Sequence, residues 1–127
     1  KGQEFVPING VNLVVSREEL VELQKKTNSL SVHDSIFDYI VTLIEKTRNS
    51  EYFALGASPR GANSLLRMSR AMALLSGRNY VVPDDIEAVF TAVLGHRVKL
   101  SSRARANGFT VDTALEEVRK SVKLPRT

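Results

Sequence analysis

Leu55-Gly56-Ala57-Ser58-Pro59-Arg60-Gly61 opens a long helical pattern that closes at Ser76-Gly77, and its reading decides the fold. Ser58 reads as an N-cap, and Pro59 as the first helical residue, where its missing N–H costs nothing. Leu65, Met68, Met72 and Leu75 recur at helical spacing and predict one apolar face. Gly77 stands where a helix end needs a left-handed residue. Arg60 is the odd member. It falls in the first turn, where the macrodipole disfavours a cation by roughly 0.3–1 kcal/mol. A guanidinium held against that gradient either faces an anion or extends its head into water, and the residues alone leave both readings open.

The same reading extends outward in both directions. Upstream, residues 1–15 carry Gly2, Pro7 and Gly10 and no helical period, so they form an extended lead-in, with Val11 to Val15 as a possible short strand. Ser16 and Glu19 make a capping box for a helix running to about Lys26, with Leu20 and Leu23 inward. A second helix is predicted from near His33 to about Arg48, its stripe formed by Ile36, Tyr39, Ile40, Leu43 and Ile44 with Phe37 beside it. Asn49 to Ala57 reads as a loop before the third helix. Downstream, Pro83 with Asp84 and Asp85 starts a fourth helix that buries Ile86, Val89, Phe90, Val93 and Leu94, although Val82 is a poor cap. Leu100 to Gly108 is polar and basic and reads as a loop. Thr110 caps a last short helix carrying Val111, Leu115, Val118 and Val122. About five helices with short connections predict an all-α fold, a small helical bundle over residues 16–127.

Composition excludes several classes of function. The chain has 127 residues, enough for one domain with a real core. It contains no Cys, which removes disulfides, thiolate metal sites and thiol nucleophiles. No segment approaches a membrane span and no signal-peptide pattern opens it, so a cytoplasmic setting is expected. The start at Lys1-Gly2-Gln3-Glu4, without Met, suggests a piece of a longer polypeptide. The net charge is +4, and the densest basic runs are Arg97, Lys99, Arg103, Arg105 and then Arg119, Lys120, Lys123, Arg126. Such runs usually form solvated faces.

Catalytic constellations are absent. Gly56 and Gly61 have the spacing of a phosphate-binding loop, but Ala62-Asn63 replace its Lys and its Mg²⁺-binding hydroxyl. His33, Asp34 and the neighbouring serines point in different directions on a helix and cannot build a nucleophile–base chain. His33 and His96 are the only histidines, and structural roles suit both; no metal site is expected.

Several linked segments nevertheless have a familiar order: Gly56-Ala57-Ser58-Pro59-Arg60-Gly61, Leu65-Leu66-Arg67, Ala71-Met72-Ala73-Leu74, Gly77-Arg78-Asn79-Tyr80-Val81-Val82-Pro83-Asp84-Asp85-Ile86 and Val93-Leu94-Gly95-His96-Arg97. Together with Asp38-Tyr39-Ile40-Val41 and Thr47-Arg48, they resemble the C-terminal lid of a MoxR-type AAA+ ATPase, most clearly over residues 30–100. Gly61 stands where that family commonly has Ala, Val82 where Thr or Ser is usual, and Gly95 before the His-Arg pair also departs from the pattern. The resemblance implies a lid packed beside a nucleotide-binding core, with Arg60 as the sensor 2 arginine directed at the ATP phosphates. It implies adenine or ribose contacts near Ala57, Ser58 and the start of that helix. By helical spacing Arg67 falls on the Arg60 face and Arg70 close to it; they are weaker candidates, and a solvated head or a core-facing ion pair is the favoured reading of each. The resemblance also implies ATP and Mg²⁺ in a full-length parent, with none bound by this fragment alone, and a parent that hydrolyses ATP. Its expected partners are the parent's own core and neighbouring subunits of a hexamer with chaperone-like or remodelling activity; it names no client.

Two other classes of function compete with that reading. One is a helical nucleic-acid-binding module, since a Gly-containing turn joins the third and fourth helices. Asp84, Asp85 and Glu87 would then meet phosphates with the wrong sign. The other is a protein-interaction module, which is compatible with a lid.

Overall fold

The structure, a computed structural model, describes residues 3–8 and 11–125. The lead-in is a hairpin: β1 (Gln3–Ile8) pairs antiparallel with β2 (Val11–Ser16), Gln3 opposite Ser16 and Ile8 opposite Val11. The expected strand is therefore present, with a partner that the sequence did not announce. Helix α1 (Arg17–Asn28) follows directly. The expected cap from Ser16 and Glu19 and the inward placement of Leu20 and Leu23 concern side chains outside the described residues.

Helix α2 (Asp34–Asn49) buries Ile36, Tyr39, Ile40, Leu43 and Ile44, as their spacing predicts, while Phe37 lies exposed at the edge of the stripe. His33 is its N-cap, its Nδ1 accepting the Ser35 N–H at 3.1 Å, which gives this histidine a structural task.

Helix α3 (Pro59–Leu75) and helix α4 (Pro83–Leu94) form the most extensively packed helix pair. The buried row of α3 differs from the expected apolar face. Gly61, Leu65, Ser69 and Ala73, four residues apart, point inward; Met68 and Met72 are half-buried, and Leu75 is exposed. At Gly61 the absent side chain lets Leu94 of α4 come close, and Met68 and Met72 lie at the margin of the buried row. The inward face of α4 is Ile86, Val89, Phe90 and Leu94, with Val93 half-buried beside it.

The α3–α4 turn has a definite mechanism. Gly77 has φ +81, and the Gly77 and Arg78 N–H groups donate to Leu74 and Ala73 carbonyls, both at 3.0 Å. This Schellman geometry closes α3 and requires the left-handed conformation that glycine adopts freely. It also throws Arg78 across to α4. The Arg78 guanidinium meets Asp85 through two bonds, 2.8 and 2.6 Å, and donates a third to the Tyr80 carbonyl at 3.0 Å. Asp85 is 2% exposed, and its carboxylate also accepts the Val82 N–H at 2.8 Å. That bond is the carboxylate half of a capping box; in place of the missing hydroxyl, the Val82 carbonyl accepts the Asp85 N–H at 3.0 Å. The carboxylate hydrogen bonds raise the pKa of Arg78 above its ordinary value.

Two expected loops, Asn49 to Ala57 and the later stretch from Leu100 to Gly108, instead contain regular structure, because their backbones pair with each other. β4 (Lys99–Leu100) pairs antiparallel with β3 (Phe53–Leu55), and helix α5 (Ser102–Ala106) follows. Only Leu100 and Ala104 of the later stretch are buried, which is why its composition reads as loop. Ser101 organises it: the N–H donates to the Tyr52 carbonyl, the hydroxyl to the Glu51 carbonyl, both at 2.8 Å, and the same oxygen caps α5 through the Ala104 N–H.

Helix α6 (Val111–Ser121) begins at its expected cap, Thr110, and buries Ala114, Leu115 and Val118. Arg119 ties it to the bundle through Glu87 of α4 and Glu116 of its own helix. These bonds to Arg119 hold the Glu116 carboxyl below the usual carboxylate range. Tyr39 lies 3% exposed against this network, with its hydroxyl lacking a hydrogen-bond partner among the described residues. Burial first, then the Glu87 charge, pushes its pKa up to about 12, against a smaller opposing effect of Arg119.

Two outcomes follow for stability. Asp85→Ala should cost about 3 kcal/mol in denaturant unfolding, the lower end for a broken buried pair, because Arg78 can partly rehydrate. A Tyr whose folded pKa is raised contributes stability that is intact below its ordinary 10.0 and lost as pH climbs toward about 12. Tyr39→Phe should therefore flatten the alkaline limb of stability, measured as the difference in denaturation midpoint from wild type across that window.

Candidate functional site

The site is built where the chain leaves β3 and enters α3. Thr47, in the last turn of α2, is fully buried on the row that includes Ile36, Ile40 and Leu43. Its Oγ1 donates to the Ile44 carbonyl at 2.6 Å and accepts the Ala57 N–H at 3.0 Å. Beside that bond the loop backbone lies directly against α2. A Cβ placed on Gly56 would stand 2.4 Å from Arg48 Cα and 2.6 Å from Arg48 N, so only glycine fits. The other side of the loop is secured by the β3–β4 pairing and Ser101.

This frame delivers the first turn of α3. Pro59 occupies N1 as expected, and Ser58 occupies the cap position with φ −97 and ψ 173. The Ser58 side chain makes no capping bond, in contrast to its expected role; its carbonyl accepts the Gly61 and Ala62 N–H groups at 2.8 and 3.2 Å. The hydroxyl is exposed and without a partner among the described residues.

Arg60 follows, exposed and free of hydrogen bonds and ion pairs among the described residues. Its setting differs from the starts of three other helices, though the short α5 also lacks a first-turn acid. Helices α2, α4 and α6 place Asp34, Asp84 with Asp85, and Asp112 in their first turns; α3 has no acid there. Arg97, just past the end of α4, brings a second guanidinium stem alongside. Its Cδ lies 3.6 Å from where a Cβ of Gly61 would sit, and Ala57 Cβ and Leu94 Cδ2 lie 3.3 Å from that point. The Ala expected by family resemblance at position 61 would thus require its neighbours to yield by a few tenths of an ångström.

The remaining candidates separate. Ala57 is fully buried, so its methyl group belongs to the core and its N–H to Thr47. Arg67 is exposed and unpaired among the described residues, and Arg70 is half-buried with its Nε enclosed. His96 is exposed. An open groove of about 760 Å³ runs between α2 and the α5–α6 segment, lined by residues such as Glu45, Tyr52, Arg103, Phe109 and Glu117. None of Ala57, Ser58 and Arg60 borders it. Among the described residues no three His, Asp or Glu side chains are grouped to hold a metal ion, and no helix is long and apolar enough to cross a membrane.

Sequence reasoning missed Thr47 and the reason for Gly56. The signal for Thr47 was present: it continues the inward row of α2, and a hydroxyl at an inward position needs a partner.

The helical bundle matches a known class of module. The sequence profile of the AAA lid domain matches residues 45–118. The uncharacterized protein YeaC of Bacillus subtilis (strain 168) is 36% identical over 94% of this chain and 37% of its own length. Chaperone MoxR1 of Mycobacterium tuberculosis is 32% identical over 89% of this chain and 32% of its own. A candidate ATPase from Cytophaga hutchinsonii ATCC 33406, known from a crystal structure, superposes with a TM-score of 0.80 at 30% identity, covering 92% of this chain and 38% of that one. The chain belongs to the AAA lid domain family and is the lid region of a MoxR-family AAA+ ATPase. It spans about a third of the length of these relatives.

Gly56→Ala tests the frame. No rotamer change relieves a clash between two backbones, so the substitution should destabilise by about 3 kcal/mol, at the upper end for overpacking. Thermal unfolding of the variant reads this directly; an unchanged midpoint would mean that the loop does not lie against α2.

Proposed function

We propose that this chain is the sensor 2-bearing lid of its parent ATPase, with Arg60 directed at the phosphates of bound ATP. The observation that carries the reading is an exposed arginine, unpaired among the described residues, on a rigidly framed helix start. Phosphoryl transfer concentrates negative charge on the γ-phosphoryl oxygens, and a guanidinium offers them two parallel N–H donors. Backbone N–H groups at a helix start favour the same anion. A contact that needs the γ-phosphate favours one lid position over another by its differential free energy, which couples hydrolysis to movement. The exposed Ser58 hydroxyl is the nearest second donor on this segment, and the Ala57–Ser58 backbone is where nucleoside contacts would fall.

The phosphate-binding loop and the acidic ligands for Mg²⁺ belong to the core in this reading. Residues 1–15 then link to that core, and residues 16–127 form the lid. The parent works as a cytoplasmic hexameric ring with chaperone-like or remodelling activity, and the lid contacts its own core and a neighbouring subunit. A nucleic-acid role is less well supported, because Asp84 stands exposed at the head of α4 and Asp85 is already committed to Arg78.

In the full-length parent, Arg60→Ala should lower ATP hydrolysis about 10–100-fold, the kinetic equivalent of roughly 1.5–3 kcal/mol for a hydrogen bond to a charged group. Unchanged steady-state hydrolysis together with unchanged nucleotide affinity would remove Arg60 from the role.

A further inference from the structure

We propose that Thr47 is a positioning residue for Arg60, acting through the Ala57 N–H; the inference rests on the phosphate-directed role of Arg60. The Thr47 hydroxyl has one proton, and the Ile44 carbonyl at 2.6 Å takes it. Its oxygen is thereby left to accept, and the Ala57 N–H at 3.0 Å is what it accepts. Both residues are fully buried, so no water competes for that N–H and the bond fixes the loop in one place. Three residues further on stands Arg60, with the intervening Pro59 restricting the backbone.

Core packing of Ala57 and the β3–β4 pairing hold the loop as well, and the Thr47 bond adds a directional constraint at the residue nearest α3. The Gly56 contact stops the loop from moving toward α2, since the backbones already touch. It does nothing to stop the loop from lifting away. The hydrogen bond to Thr47 resists that second motion. Together they set the separation between the end of α2 and the start of α3, and with it the direction in which the Arg60 side chain leaves the bundle. Catalytic contacts are sensitive to such settings, because displacements of about 1 Å can cost on the order of 100-fold in rate.

Substitution can isolate the acceptor. Valine matches threonine in shape and keeps the buried volume, but it cannot accept the Ala57 N–H. Serine keeps the oxygen and loses only a methyl group. In the full-length ATPase, Thr47→Val should reduce ATP hydrolysis about 5–10-fold, and Thr47→Ser should restore most of it. Amide hydrogen exchange at Ala57 should quicken in the valine variant. The decisive measurement is the double variant. If Thr47 acts by aiming Arg60, Thr47→Val has no further effect on hydrolysis once Arg60→Ala is present, although it still lowers the melting temperature.

The outcomes separate the two ideas. Normal hydrolysis by Thr47→Val beside impaired Arg60→Ala overturns the positioning role and leaves the sensor reading standing. Independent, multiplicative losses in the double variant also overturn it, because Thr47 then acts through general stability. A silent Arg60→Ala overturns the sensor reading, and the positioning role falls with it.

Discussion

The architecture turns on one hydrogen bond, from the Ala57 N–H to the Thr47 hydroxyl, with the Gly56 backbone pressed against α2 beside it. A connection that returns to the end of a helix must bury some of its own amides, and each buried N–H needs an acceptor. The backbone of α2 cannot offer one sideways, because its carbonyls lie along the helix axis. A threonine in the last turn can. Its hydroxyl gives the proton back to its own helix and turns its oxygen outward to the loop. Everything from β3 to the first turn of α3 is referenced to that point. The Gly56 contact makes the reference tight, since no side chain separates the two backbones.

The rest of the bundle keeps that reference fixed. Arg78 and Asp85 pin the turn between α3 and α4 at the far end of α3. Arg119 joins α6 to α4 through Glu87, and Ser101 joins the α5 segment to the loop ahead of β3. The Arg119 and Ser101 links cross between segments distant in sequence, the Arg78 link spans a single turn, and each uses a side chain with more than one partner. Shared partners make such links cooperative, because losing one end strands a buried polar group at the other. The result is a continuous core with polar pins at its corners.

Periodicity and caps made the helices legible. The stripe of α2, the Pro59 and Pro83 starts and the Thr110 cap all depend on neighbours within one or two turns, and they stand where the sequence places them. The errors over the α3 face and the Leu100–Gly108 stretch depend on partners beyond the local pattern, whereas the Ser58 error is local. Leu75 looked inward because its spacing matched a stripe, yet the buried row is Gly61, Leu65, Ser69 and Ala73. The stretch from Leu100 to Gly108 looked like loop because the bonds that organise it run to Glu51 and Tyr52. Ser58 was right as a position and wrong as a cap, since its carbonyl accepts the first-turn N–H groups while its hydroxyl stays free among the described residues. Gly56 first suggested half of a phosphate loop. Its requirement is steric, and no local pattern reveals that.

Arg60 was legible as an anomaly, and the structure explains what kind of anomaly it is. A cation at a helix start is locally unfavourable by roughly 0.3–1 kcal/mol, too little to threaten a fold. The cost could have been cancelled by a carboxylate in the same turn, as the acids of the other helix starts would permit. Such a pairing would raise the barrier to any external anion, because an internal bond would have to break first. Arg78 and Arg119 show the alternative fate: both are committed to carboxylates inside the bundle. In the proposed role, an arginine that meets an anion from outside its own domain is best left unpaired and exposed, on a backbone that is held in place. Those three conditions pull against one another in an ordinary surface residue, whose freedom comes with a flexible backbone. They are reconciled at α3 because the frame acts on Ala57 and Gly56 and leaves the side chain of Arg60 untouched.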